Sequence, residues 1–178
     1  MSSSELLQGD LLKLKKQFEK GVSHILFVCK GNMCRSPVAE GMLKNEISRM
    51  KMKRLTTRSA GLIEIDHRFF VEELFRVAEE FGVSLKDHIP AVLTNIMMED
   101  ASLVFVMEDY QKEEVSEKFP EHKEKVFLLS LFDHESNGVN INDPLGTTDY
   151  QYRYCFNRIY QLVQELIDFM NASNTVYS

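Results

Sequence analysis

The chain has 178 residues, enough for one domain with a substantial core, and its formal net charge of −6 comes from dispersed acidic residues. That balance argues against nucleic acid or an anionic membrane as a partner, and no apolar run approaches the length needed to cross a bilayer. Three cysteines form too sparse and odd a set for a disulfide scaffold and suit a reducing compartment. The first ten residues have no basic n-region and no continuous apolar h-region, so the expected location is the cytoplasm.

Leu7, Leu11, Leu14 and Phe18 fall on one stripe at helical spacing, with Lys13, Lys15, Lys16 and Lys20 mostly around it. They predict an N-terminal helix, weakened by Gly9, whose expected role is docking on the domain surface. A contact for a partner or a second subunit is the alternative. His24 to Val28 then reads as a short apolar strand, followed directly by the loop Cys29-Lys30-Gly31-Asn32-Met33-Cys34-Arg35-Ser36-Pro37. Val38, Met42, Leu43, Ile47 and Met50 give one face of the next helix. A strand over Leu55 to Ser59 precedes a helix marked by Val71, Leu74, Phe75, Ala78 and Phe81 and stopped by Gly82. Leu103 to Met107 and Lys125 to Leu129 read as two more strands. Tyr152, Cys155, Phe156, Ile159, Val163, Leu166, Ile167 and Met170 define the final helix. This alternation implies an α/β fold, a parallel sheet with helices on both faces and sites at the carboxyl ends of its strands. Cys29 falls at such an end.

The loop has the parts of an anion nest. Ser36 is expected to be the N-cap of the helix, with Pro37 at the first helical position. Backbone N–H groups from Lys30 to Arg35 can point inward, and the helix dipole closes the nest. Gly31 and Asn32 tolerate the positive φ that such a curl requires. Arg35 can grip two phosphate oxygens at once, and a thiol facing a helix N-terminus and a fixed cation is activated as a nucleophile. Blander readings exist: a core cysteine, an ordinary Gly-Asn turn, or a redox or metal pair of Cys29 and Cys34. Metal sites prefer shorter cysteine spacing and more ligands, so no metal is expected.

Val28-Cys29-Lys30-Gly31-Asn32-Met33-Cys34-Arg35-Ser36-Pro37-Val38-Ala39-Glu40 resembles the signature of the low-molecular-weight protein tyrosine phosphatases. Arg58-Ser59-Ala60-Gly61, then Asp87-His88 with Leu93-Thr94, then Asn142-Asp143-Pro144 resemble the family's later landmarks in the same order. The resemblance implies a three-layer sandwich with a four-stranded parallel sheet over residues 23–172, after a helical extension at 1–22 and before a tail at 173–178. It implies a phosphomonoester hydrolase acting on protein phosphotyrosine. Lys30 to Arg35 would bind the phosphate with Cys29 as nucleophile and Asp143 as general acid. Asn32, Ser59 and His88 would hold the loop, Ser36 would donate to the Cys29 sulfur, and Cys34 could form a reversible disulfide with Cys29. No cofactor is implied. Phosphoprotein or phosphopeptide is the expected substrate, phosphate and other oxyanions the expected inhibitors, and the oligomeric state is left open.

Substrate walls depart from the family pattern. The aromatic residues that often follow the Asp-Pro are replaced by Leu145, Gly146, Thr147 and Thr148, leaving Tyr150 or Tyr152 to swing in. After Gly61, Phe69 or Phe70 could substitute for a further missing aromatic, and Ala91 stands where some members have arginine. The Asp-Pro-x-Gly turn also resembles the protein-arginine phosphatases, which carry threonine where this chain has Met33. Arsenate reduction, which would need two later cysteines where only Cys155 exists, and a silent phosphoprotein-binding module are weaker alternatives.

Overall fold

β1 (His24–Cys29) is the strand around which the molecule is built. Its successive side chains feed two separate cores, as the two-residue period of a strand buried on both faces requires. Ile25 and Phe27 enter one cluster, Leu26 and Val28 the other. β1 pairs in parallel with β2 (Thr56–Gly61) on one side and β3 (Leu103–Val106) on the other, and β4 (Val126–Leu128) extends the sheet beyond β3 in the order β2-β1-β3-β4. Parallel neighbours need crossovers. These carry α2 (Arg35–Arg49), α3 (Glu72–Glu80), α4 (Asn95–Asp100) and α5 (Asp109–Lys118). The chain begins with α1 (Ser3–Glu19) and closes with α6 (Asp149–Ala172); short 3-10 turns span Pro120–Lys125 and Leu129–Phe132. The computed structural model describes residues 3–65, 71–133 and 139–173, with side chains from residue 8 onward.

The larger core lies between the sheet and helices α2, α3 and α6. Phe27 stacks on Phe105 at 6.1 Å, and Phe105 meets Phe132 at 5.7 Å. The smaller core sets Met98, Val115 and Phe119 against Val104 and Val106. The four strands stand where the sequence places them, although β4 is only Val126–Leu128 and β2 runs on to Gly61. Helices α4 and α5 carry no readable stripe: α5 buries only Gln111 and Val115, so its sequence reads as surface. Among the described residues no helix is long and apolar enough to cross a membrane.

Helix α1 docks on the domain. Leu14 and Phe18 are buried in the larger core, where the Phe18 ring lies 5.3 Å from that of Phe169. Asp10 pairs with Lys112 at 2.5 Å, and Gln17 Nε2 donates to the Glu124 carbonyl at 3.2 Å, just before β4. Gly9 does not interrupt the helix. The side chain of Leu7 lies outside the described residues. Phe18→Ala should cost about 3–5 kcal/mol by burial and cavity loss. Chemical denaturation checks this, and turnover of the variant under native conditions should be close to that of the parent.

Candidate active site

β1 delivers Cys29 to the end of the sheet, and the chain turns through residues 30–34 into α2. Asn32 takes the left-handed conformation, φ 53°, that the curl needs and that asparagine tolerates. Gly31 does not; it is small because Ile65 presses on it, and an added Cβ would lie 2.0 Å from Ile65 Cδ1. Gly61 supplies the second close approach, since a Cβ there would meet the loop backbone at Gly31 C, 2.8 Å away. The end of β2 thus packs directly on the loop.

Helix α2 begins at Arg35, with Cys34 in the capping position and no side-chain cap. Ser36 is therefore not the N-cap. Its hydroxyl is turned inward, 3.0 Å from Cys29 Sγ and 3.3 Å from the Ala60 carbonyl. Both amide protons of Asn32 are used, one on Ser36 Oγ at 2.9 Å and one on Ser59 Oγ at 2.8 Å. Ser36 Oγ accepts from Asn32, and its single proton has two acceptors within reach, the Ala60 carbonyl and the Cys29 sulfur. Ser59 passes its proton to Glu40 Oε2 at 2.5 Å, Ala91 N–H donates to Asn32 Oδ1 at 2.9 Å, and His88 Nε2 sits 2.7 Å from the Asn32 carbonyl. Asn32, Ser36, Ser59 and His88 are thus brought into one network around the buried side of the loop.

Arg35 is buried. Its Nη1 donates to Glu108 Oε2 at 2.5 Å and to the Ile141 carbonyl at 2.9 Å, and its Nη2 to Asp143 Oδ2 at 2.6 Å. Burial works against the guanidinium charge, but the adjacent Cys29, Asp143 and Glu108 more than offset it and hold the group firmly cationic. Arg35 Nε is buried with no hydrogen-bond partner. Glu108, at the carboxyl end of β3, was not legible as part of the site. Gln111 fixes it by donating from Nε2 at 2.9 Å while its own Oε1 accepts from Met107 N–H. Position after a strand end was the one available signal for Glu108, and it is a general property of this fold class.

Cys29, Lys30, Gly31, Met33, Cys34, Arg35 and Asp143 line one cleft of about 330 Å³, walled by Ile63, Ile65 and Leu145. The walls among the described residues are aliphatic. Tyr152 does not swing in: it is buried in α6, its ring 5.9 Å from Phe156, and its hydroxyl accepts from Gly146 N–H at 3.3 Å. Tyr150 is 70% exposed and is not among the wall residues. Phe69 and Phe70 lie outside the described residues.

All three cysteines are free thiols. Burial pushes the Cys34 thiol well up, helped by the nearby Cys155, Asp143 and Cys29. Burial likewise pushes Cys155, whose sulfur lies 3.8 Å from the Asn142 carbonyl, up to about 12. Both remain protonated near neutrality.

A parallel α/β sheet ending in a thiol-bearing anion loop, with a buried guanidinium and a carboxyl over the same cleft, defines a cysteine-dependent phosphatase. Residues 24–175 match the family described as low molecular weight phosphotyrosine protein phosphatase, and the chain belongs to that family. It is 30% identical over 142 residues to a protein-arginine-phosphatase of Bacillus subtilis, covering 80% of this chain and 93% of the relative. It is 34% identical over 143 residues to the probable low molecular weight protein-tyrosine-phosphatase AmsI of Erwinia amylovora, covering 80% and 91%. The solved structure of a YwlE arginine phosphatase mutant with a phosphorylated active-site serine superposes with a TM-score of 0.77 at 27% identity, covering 86% of this chain and 99% of that one.

Proposed function

We propose that this chain removes phosphate from protein phosphotyrosine through a phosphate carried on Cys29. The observation that carries this reading is Arg35: a buried cation lining the cleft beside Cys29, with one N–H donor still unpartnered. A phosphate dianion answers both its charge and its free donor. Arg35 and the loop amides hold the equatorial oxygens at the N-terminus of α2 and stabilise them as the transition state forms. The Cys29 sulfur attacks phosphorus in line, and the bond to the leaving oxygen breaks. Asp143 gives that oxygen its proton, then takes a proton from the water that cleaves the cysteinyl phosphate. Ser36 supports the departing sulfur through its hydroxyl. Residues 23–172 form the phosphatase domain on this reading, and residues 1–22 an appended helix that stabilises it. Inorganic phosphate and similar oxyanions compete for the loop.

Tyrosine is favoured because the described walls Met33, Ile63, Ile65 and Leu145 are apolar and suit a neutral ring, while Asp143, the carboxylate among the described lining residues, is engaged by Arg35. Protein phosphoarginine is the second reading, supported by the lack of an aromatic wall among the described residues and by the arginine-phosphatase relative. Arsenate reduction would need Cys155 as a further nucleophile, and burial keeps that thiol protonated. Matched phosphotyrosine, phosphoarginine and phosphoserine peptides decide among the substrates. The highest kcat/KM is expected with phosphotyrosine, and a preference for phosphoarginine overturns the choice.

The role of Asp143 has its own test. Asp143→Ala should lower kcat about 10²–10⁴-fold on alkyl phosphates, whose leaving groups need the proton, and far less on para-nitrophenyl phosphate. Equal loss on both places the acid elsewhere.

A further inference from the structure

The two edges of the sheet are treated differently. Beside β4, helix α1 lies against the flanking turns, with Gln17 bonded to the Glu124 carbonyl. β2, the opposite edge, borders a groove of about 980 Å³ lined in part by Lys44, Thr57, Arg58, Ser59, His88 and Ala91.

Alternate residues of a strand direct their N–H and C=O groups to opposite sides. Thr56 N–H donates to the Ser23 carbonyl at 2.9 Å, so Thr56, Arg58 and Ala60 face β1 while Thr57, Ser59 and Gly61 face outward. At Gly61 the outward groups are filled: its N–H donates to the Ala91 carbonyl and its carbonyl accepts from Leu93 N–H, each at 2.8 Å, in a parallel bridge to Val92. Among the described residues nothing equivalent fills Thr57 and Ser59. The track of a fifth strand is begun by residues 91–93 and is left at Pro90, which has no N–H to offer.

Two side chains mark the same stretch. Thr57 is 95% buried by complement of its 5% exposure, lines the groove, and its hydroxyl has no partner. Arg58 is exposed and forms no ion pair among the described residues, while Glu40, which also lines the groove, is taken by Lys44 and Ser59. Asp100 lies near His24, at the amino end of the sheet. Ser59 and His88 line the groove and also hold Asn32, so an occupant would abut the scaffolding of the phosphate loop.

We propose that the open β2 edge binds an extended segment of a partner protein by strand addition, with an acidic side chain of that segment opposite Arg58. The segment bonds to the outward N–H and C=O groups of Thr57 and Ser59 and supplies an acceptor or donor to the Thr57 hydroxyl. This binding does not depend on which phosphoester the cleft hydrolyses.

The full chain, ¹⁵N-labelled, is titrated with the blocked peptide acetyl-Thr-Val-Glu-Val-Thr-amide at millimolar concentration. Shifts and slowed amide exchange are expected at Thr57 and Ser59, and replacing Glu by Lys in the peptide should weaken binding about two- to five-fold. Thr57→Pro removes the outward backbone donor and the Thr57 hydroxyl while sparing the bonds to β1, a change an edge strand tolerates, and should abolish binding with para-nitrophenyl phosphate turnover retained. Arg58→Ala should make the Glu and Lys peptides bind alike, and it decides the matter if Thr57→Pro fails to fold. No shifts, shifts confined elsewhere, or a persistent Glu preference in Arg58→Ala overturns the proposal.

Discussion

Cys29→Ser should reduce turnover of para-nitrophenyl phosphate on the order of 10⁴-fold or more, because on the proposed mechanism it removes the nucleophile from a step whose other parts act only around it. The substitution is nearly isosteric, and the surroundings are already polar: Ser36 Oγ lies 3.0 Å away and accepts from Asn32. Fold and phosphate loop should therefore survive, and binding of inorganic phosphate should remain measurable. A serine hydroxyl is a far poorer nucleophile than a thiolate and a poorer leaving group in the second step. Steady-state assay with parallel phosphate titration checks both halves. Retained turnover would place the nucleophile outside the loop.

Arg35→Lys should lower kcat/KM on the order of 10³-fold, although the charge is kept. The guanidinium spreads its donors over Glu108, the Ile141 carbonyl and Asp143, and still has Nε for a phosphate oxygen. An ammonium is a point charge that cannot hold a planar fork toward two oxygens while bridging both carboxylates. Part of the loss falls on KM, from weaker phosphate binding, and part on kcat, from poorer stabilisation of the equatorial oxygens. Near-normal kcat/KM in Arg35→Lys would mean that charge alone suffices and that the fork geometry has no catalytic role.

What the sequence made legible was local. The apolar run His24 to Val28 and the loop after it are contiguous, so their strand-and-nest character is written in neighbouring residues. The α1 stripe likewise announced a buried face, though only the fold shows that Phe18 meets Phe169. The errors lie where one residue has two possible partners. Ser36 has the chemistry of an N-cap, but its hydroxyl is recruited by Cys29 and Asn32, and α2 starts at Arg35, two residues before the Pro37 start that the N-cap reading implies. Gly31 has the chemistry of a positive-φ turn, but its smallness serves the approach of Ile65. Glu108 was invisible because it meets Arg35 across 73 positions of sequence. Tyr152 belonged to the buried stripe of α6, and that periodicity already argued against its turning into the cleft.

The most direct measurement is rapid acid quench of the Asp143→Ala variant during turnover of para-nitrophenyl phosphate, followed by mass analysis of its peptides. The account predicts one phosphate on the peptide containing Cys29, formed with a burst of para-nitrophenolate and absent in Cys29→Ser. Phosphate on any other residue, or a burst that persists without Cys29, would contradict it.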